Sequence, residues 1–227
     1  MRVVSFTIAL FVLLAGCGSD DKTSGSTATA GEELEQSIAL LQKAPSWTVE
    51  IKADESPSDV NTLSFARGVG DMSPAFEGDV TVVANGSAIE AEVISVDGKV
   101  FAKTSLSPRF SPLDPASIGA PDPAQFFTAE NGILALMANA TEITYGEEIR
   151  QDMMILQSIK AKIPGANMSK FLPGSDPAGI FSAEFFIDKD KNLQRITLTG
   201  PFYANHGESK YTIKVTASDS TIDIKAP

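Results

Sequence analysis

The sequence predicts an α+β fold in which an antiparallel sheet of about ten strands carries short apolar helices on one face. Two blocks of alternating apolar and polar residues, typical of half-buried strands, make up most of the chain. Asn85-Gly86 and Asp97-Gly98 separate consecutive strands and favour tight turns between antiparallel neighbours. A proline-rich insert with apolar helices separates the two blocks. Because such helices need an apolar surface to pack on, we expect them to cover the concave side of a curved sheet.

The chain begins with a segment typical of exported proteins. Arg2 supplies a positive charge, the run from Val3 to Leu14 is almost entirely apolar, and small residues lead to Cys17. This order is that of a secretory signal peptide. A membrane span is the alternative, but it needs about 20 apolar residues, which the run does not reach. The sequence therefore predicts a signal peptide over residues 1–16.

The end of this segment, Leu14-Ala15-Gly16-Cys17, resembles a bacterial lipobox, in which the cysteine thiol receives a diacylglyceryl group. An ordinary signal peptide with an incidental cysteine is the alternative. Since Cys17 is the only cysteine, the mature chain has no internal disulfide and no second thiolate for catalysis or metal binding. We expect Cys17 to be the lipid attachment site, which would hold the protein on the outer, periplasmic face of the cell membrane.

The formal net charge of −11 bears on which partners the protein can have. Nucleic acids and anionic lipid headgroups both require clustered lysine and arginine, and an acidic surface repels them. We therefore expect no nucleic-acid partner. Attachment to the membrane would come from the lipid anchor.

Behind the signal peptide, composition separates a tether from a folded domain. Residues 17–31 hold the lipidated cysteine and a stretch rich in Ser, Thr, Gly, Ala and Asp without any large apolar residue, which predicts a flexible tether. Residues 32–227 are long enough for a single domain with a sizeable core.

The first elements of this domain are a helix and a block of strands. From Glu32 to Ala44 apolar residues recur at helical spacing, which predicts an amphipathic helix that ends near Pro45. From Trp47 to Ala53 the period changes to strict alternation, as in a half-buried strand. The same alternation recurs at Leu63–Val69, Val80–Ala84, Ala88–Val96 and Val100–Lys103.

Between Ser105 and Ala140 the strand pattern is interrupted. Five prolines exclude a regular central strand there. They are Pro108, Pro112, Pro115, Pro121 and Pro123. The stretch Asp122–Phe127 begins like a helix, with aspartate at the cap and proline in the first turn. Asn131–Ala140 then predicts a second short helix with a broad apolar surface.

A second block of strands completes the chain. The predicted strands are Thr141–Ile149, Met153–Ile163, Phe181–Ile187, Leu193–Gly200, Lys210–Ala217 and Thr221–Lys225. The stretch Met153–Ile163 also fits a helix, although its alternation favours a strand. Gly165–Pro173 is compatible with one helical turn.

The central segment resembles the matching stretch of the mycobacterial LppX/LprAFG lipoproteins. In that family a DGK-aromatic-x-K strand leads into DP…GAPDP, as Val96–Lys103 and Leu113–Ala124 do here. The lipobox, tether, first helix and strand blocks also follow the family's order. The resemblance implies a fold similar to the carriers LolA and LolB, a strongly curved antiparallel half-barrel whose concave face is lined by short helices around a large apolar cavity. It implies that the protein binds long-chain acyl lipids or glycolipids and carries them across the cell envelope.

The resemblance also implies a ligand pocket built from inward-facing apolar residues. We assign to it Ile89, Ala91, Val93, Phe101, Phe126, Leu134, Met137, Ile155, Ile159, Phe185, Ile196 and Leu198. Ordinary core packing is the alternative for any one of these residues. An acyl lipid or glycolipid would be the ligand, and a membrane lipid exporter is a further candidate partner.

No sequence feature indicates an enzyme. His206 is the sole histidine and lies in a polar loop, and the chain has no serine-nucleophile, nucleotide-binding or metal-ligand motif. We therefore expect no catalytic residue, no cofactor and no metal. The alternative function is that of a surface lipoprotein with a solid core whose outer face binds a protein or glycan partner.

Overall fold

The structure is a computed structural model that describes residues 28–151 and 153–227. The predicted signal peptide, the attachment site Cys17 and the tether up to residue 27 lie outside the described residues. None of the described helices combines the length and the apolar character that a membrane crossing requires.

The described residues contain one antiparallel sheet of eleven strands. The strands are β1 (Ser46–Ala53), β2 (Thr62–Asp71), β3 (Ala75–Ala84), β4 (Ser87–Val96), β5 (Lys99–Lys103), β6 (Ser111–Leu113), β7 (Thr141–Gln151), β8 (Met154–Pro164), β9 (Ile180–Ile187), β10 (Leu193–Gly200) and β11 (Ser209–Ser218). Their order across the curved, open sheet is β6-β5-β4-β3-β2-β1-β11-β10-β9-β8-β7. Each block is a meander, and the pairing of β1 with β11 joins the two blocks.

The helices are α1 (Ala30–Lys43), α2 (Ile133–Ala138) and α3 (Gly165–Phe171), with two 3₁₀ turns at Pro115–Ile118 and Pro123–Phe127. We call residues 104–140 the insert, because they connect the two strand blocks. The helices and the second 3₁₀ turn pack on one face of the sheet, the inner face, where the apolar core lies. The predicted α+β fold, with an antiparallel sheet and short helices on one face, is confirmed.

Three details of the strand prediction can be compared with the structure. The stretch for which both strand and helix were considered is a strand, β8. Thr221–Lys225 forms no strand, because the preceding strand β11 already has neighbours on both sides. The short strand β6 was not predicted, and it contains Pro112. Proline is compatible with this position because β6 is at the edge of the sheet.

Helix α1 begins at a capping box and is joined to the sheet at its other end. Thr29 Oγ1 accepts a hydrogen bond from the Glu32 backbone N–H at 3.2 Å, and Glu32 Oε2 accepts one from the Thr29 N–H at 2.7 Å. Near the last turn, the Leu41 carbonyl accepts a hydrogen bond of 2.9 Å from Trp47 Nε1. The helix ends at Lys43, with Ala44 as its C-cap, and thus near Pro45 as predicted.

At the centre of the inner face, glycines make room for aromatic rings. Phe127, from the second 3₁₀ turn, is fully buried with its ring centroid 5.5 Å from that of Trp47 and 6.3 Å from that of Phe76. A Cβ atom on Gly70 would lie 2.5 Å from the Phe127 ring, and one on Gly68 would lie 2.5 Å from the Phe76 ring. Gly70 therefore allows the Phe127 ring of the insert to lie directly against the sheet, and Gly68 makes room for the neighbouring Phe76 ring.

A buried group of hydroxyls connects the two strand blocks near the β1–β2 loop. Tyr211 is 1% exposed and donates a hydrogen bond of 2.6 Å to the Leu63 carbonyl. Its Oη also lies 2.9 Å from Tyr203 Oη and 3.3 Å from Thr62 Oγ1. Burial raises the pKa of Tyr211 well above its ordinary value, because the phenolate would lose its hydration.

Tyr211→Phe is expected to lower the free energy of unfolding at pH 7 by about 1–3 kcal/mol, because the Leu63 carbonyl loses its buried donor. The folded protein keeps Tyr211 neutral above pH 10, where an unfolded tyrosine ionises, so the stability that depends on this residue is lost as the pH rises. The unfolding free energy of the variant should therefore fall less steeply above pH 10, by about 1.4 kcal/mol per pH unit. Urea unfolding at pH 7 and between pH 10 and pH 11 measures both effects. If the unfolding free energies of wild-type protein and variant fell equally steeply with pH, Tyr211 would not be the buried neutral tyrosine.

Candidate functional site

An apolar cavity of about 230 Å³ lies between the inner face of β3–β6 and the insert. We call it the inner cavity. Its walls are valine, isoleucine, leucine, alanine and proline side chains. From the strands these are Val80, Val82, Ile89, Ala91, Val93, Val100, Ala102, Pro112 and Leu113, and from the 3₁₀ turns and the segment between them Pro115, Ile118, Ala120, Pro121 and Pro123. The volume is below the range of about 300–1,000 Å³ that is usual for ligand pockets. The resemblance implied a large cavity, whereas most of the inner face is filled by side chains.

Two Asp-Pro pairs shape the part of the insert that covers this cavity. Asp114 and Asp122 each cap a 3₁₀ turn by accepting a backbone N–H, at 3.1 and 3.0 Å, and each is followed by a proline in the first turn. Asp122 also accepts a hydrogen bond of 2.6 Å from Ser95, which is fully buried on the inner face of β4. The second 3₁₀ turn is thus attached to the sheet at its cap and by the Phe127 ring.

The residue between these turns, Gly119, has a left-handed backbone conformation with φ of 68°. A Cβ atom there would lie 2.8 Å from the Asn61 carbonyl oxygen. A side chain at this position would therefore be strained in backbone conformation and crowded against the β1–β2 loop. This explains glycine between the two Asp-Pro pairs in the central sequence motif.

One end of the inner cavity is polar and open, and we call it the cavity mouth. The hydroxyl-bearing residues Thr104, Ser107 and Ser111, in and beside the β5–β6 loop, line this end. Ile89 also lines the cavity and is 41% exposed, so the apolar wall continues to the solvent. Lys103 does not face the mouth, because it pairs with Glu92 at 2.7 Å on the outer face of the sheet.

The structure brings three of the predicted pocket residues together in the inner cavity, namely Ile89, Ala91 and Val93 on β4. Seven others belong to the solid core, each 2% exposed or less. These are Phe126, Leu134, Met137, Ile159, Phe185, Ile196 and Leu198. Phe126, for example, packs against Phe171 of α3 with ring centroids 5.2 Å apart.

Two predicted pocket residues lie elsewhere. Phe101 was predicted to face inward, which is wrong: its neighbours Val100 and Ala102 line the cavity, and alternate side chains of a strand point to opposite faces. Ile155 is 53% exposed near the start of β8 and lines a separate cleft at the other edge of the sheet.

The ionisable side chains of the described residues form no assembly suited to metal binding. No group of three or more His, Cys, Asp or Glu side chains among them could hold a metal ion. The single histidine, His206, has its Nε2 atom 3.3 Å from a carboxylate oxygen of Asp59, where it joins the loop before β11 to the loop after β1. His206 therefore connects two loops in this structure.

Comparisons with known proteins agree with this architecture. LprF from Mycobacterium bovis superposes with a TM-score of 0.71 at 14% identity, over 87% of this chain and 96% of that chain. LppX from Mycobacterium tuberculosis superposes with a TM-score of 0.60 at 12% identity, over 86% of this chain and 98% of that chain. These likenesses show the fold. A search of the curated proteins found no match.

The sequence itself matches the family model described as LppX_LprAFG lipoprotein over residues 29–225. This range includes nearly all of the described residues, from the cap of α1 to beyond β11. The resemblance inferred from the central motif is therefore confirmed, and the chain belongs to the LppX_LprAFG lipoprotein family.

Proposed function

We propose that this protein is a membrane-anchored carrier that holds an acyl chain of a lipid or glycolipid in the inner cavity and moves it across the cell envelope. The observation that carries the proposal is the inner cavity, an apolar space that is walled by sheet and insert and ends at a polar mouth. Membership in a lipoprotein family implies association with the cell envelope and supports the same function.

The apolar lining of the cavity suits an acyl chain. Each methylene group that leaves water for an apolar site contributes about 0.8 kcal/mol, so apolar contact alone can hold a chain. The hydroxyls of Thr104, Ser107 and Ser111 offer hydrogen bonds at the mouth. We place the polar head group of the lipid there, with its chain directed under the insert towards Val93 and Val100.

A complete long chain needs more space than about 230 Å³, and the insert is the element that can provide it. The first 3₁₀ turn, Pro115–Ile118, has no buried residue, whereas the second, Pro123–Phe127, has four. The first turn can therefore move away from the sheet at little cost in buried area, while the second stays in place. We propose that lipid enters by displacing the first 3₁₀ turn.

The remaining parts of the proposal concern the membrane. Residues 1–16 would be the signal peptide, Cys17 the lipid attachment site and the residues that follow it the tether. The predicted boundary between tether and single carrier domain, after residue 31, moves to the cap of α1 at Thr29. The anchor would keep this domain on the outer, periplasmic side of the cell membrane, where it can receive lipid from the bilayer or from a membrane exporter.

Native mass spectrometry with solvent extraction tests the proposal on residues 18–227 produced in a lipid-rich actinobacterial host. Because this protein lacks Cys17, any lipid that is found is bound rather than covalently attached. We expect one acyl lipid per protein, and extraction would identify its head group. A folded protein with only its bare mass would contradict the carrier function and favour a lipoprotein that binds a partner through its outer face.

A further inference from the structure

Three consecutive large apolar residues are exposed where the β7–β8 hairpin turns. Met153 is 99% exposed, Met154 39% and Ile155 53%. We call these three residues the hairpin tip. Isolated exposed apolar residues are common on protein surfaces, but a contiguous group at a protruding turn is typical of a surface that contacts a partner or a membrane.

The hairpin tip lines a cleft of about 690 Å³ together with the first turn of α1 and the β9–β10 loop. In this cleft Glu33 pairs with Lys191 at 2.7 Å, and Tyr145 Oη lies 2.9 Å from Glu33 Oε2. The same hydroxyl lies 2.7 Å from the carbonyl oxygen of Ala28, the first described residue. The chain that leads back towards Cys17 therefore leaves the domain at the corner that holds the hairpin tip.

The length of that chain limits how far this corner can be from an anchoring bilayer. If residues 17–28 behave as the flexible tether that their composition predicts, their root-mean-square reach is about 20 Å. If Cys17 is acylated, the N-terminus of α1 and the cleft beside it stay close to the membrane surface. The anchor would then hold the hairpin tip close to the membrane surface, which raises its effective concentration there.

The charges around the tip allow contact with a bilayer of zwitterionic lipids such as phosphatidylcholine. Lys189 and Lys191 of the β9–β10 loop each pair with a carboxylate, at 2.6 and 2.7 Å. In the sequence, Arg150 and Asp152, which both precede Met153, have opposite charges. The cleft lining also includes Glu148 and Asp188, so the corner keeps a small net negative charge. Its attraction to a bilayer would therefore be apolar rather than electrostatic.

From these observations we infer that the hairpin tip is a second membrane contact, in which Met153, Met154 and Ile155 enter the interfacial region of the bilayer that holds the lipid anchor. The inference rests on the proposed acylation of Cys17. Two contacts, the anchor and the tip, would orient the domain on the membrane, which a flexible tether alone cannot do.

The test uses the full chain, acylated and reconstituted into phosphatidylcholine liposomes. Met153→Cys introduces the only free thiol, since the thiol of Cys17 is consumed by acylation, and it is labelled with an environment-sensitive fluorophore. The matched control is Leu106→Cys, at an apolar residue that is 96% exposed in the β5–β6 loop beside the cavity mouth. We expect the label at position 153 to shift to shorter wavelength and to be quenched by spin-labelled lipid, and the label at position 106 to remain unchanged.

A further variant tests whether the apolar side chains cause the contact. Adding Met154→Ser and Ile155→Ser to Met153→Cys should abolish the quenching while the protein still floats with the liposomes. Flotation without quenching in the original Met153→Cys protein would overturn this inference alone, as would equal or stronger quenching at position 106. Failure of the full chain to float would overturn the lipid anchor and, with it, this inference.

Discussion

Replacing Ala91 with tryptophan is expected to weaken lipid binding strongly while leaving the sheet folded. Ala91 lies on β4, where it faces the inner cavity beside Val80. An indole ring at this position would occupy space that the acyl chain needs. Excluding three methylene groups would cost about 2.4 kcal/mol, at about 0.8 kcal/mol each, which corresponds to a roughly 50-fold loss of affinity.

The matched control for this change is Glu90→Trp. Glu90 is the preceding residue of the same strand, but it is exposed and lies on the outer face. Native mass spectrometry should therefore show bound lipid in wild-type protein and in Glu90→Trp and far less in Ala91→Trp, and circular dichroism should show all three folded. Undiminished lipid in a folded Ala91→Trp protein would place the ligand outside the inner cavity.

The second large effect is expected from Phe127→Ala, which should lower the free energy of unfolding by about 3–5 kcal/mol. Phe127 is fully buried between the rings of Trp47 and Phe76 and lies directly over Gly70. The rings around it belong to the central strands of the sheet and cannot collapse easily into the space that it leaves. Loss of this ring would also loosen the second 3₁₀ turn, which we propose to be the fixed part of the insert.

Urea unfolding followed by tryptophan fluorescence measures this effect, because Trp47 is the only tryptophan and its ring is 5.5 Å from that of Phe127. Phe101→Ala is the control, a phenylalanine on the outer face that is only partly buried. We expect it to cost about 1 kcal/mol, since its partly exposed ring leaves no closed cavity. Equal losses in the two variants would show that Phe127 does not hold the insert against the sheet.

Part of the candidate site can be predicted from local sequence patterns. The Asp97-Gly98 turn was recognised as a two-residue hairpin turn, and such a turn pairs Val93 with Ala102. Because alternate residues of a strand share a face, this register assigns Val100 and Ala102 to the cavity and Phe101 to the outer face.

Other parts of the site could not be predicted locally. Ala91 lines the cavity and Phe126 lies in the core, yet both are apolar residues in amphipathic stretches. An apolar residue lies in the core where side chains from distant strands and the insert fill the space around it, and it lines a cavity where they do not. No local sequence pattern predicts how completely that space is filled. The partner of Asp122, Ser95 on β4, is likewise a contact across the fold.

Taken alone, the sequence specified the elements of this protein, because strand alternation, helix caps and turn dipeptides act within a few residues of one another. The capped helix α1, the two strand blocks and the two Asp-Pro turns of the insert are of this kind. Folding in three dimensions was needed to pair β1 with β11, to leave Thr221–Lys225 without a partner, and to bring the hairpin tip beside the start of α1. These features depend on contacts between residues far apart in the chain, where geometry and packing rather than local preference select the arrangement.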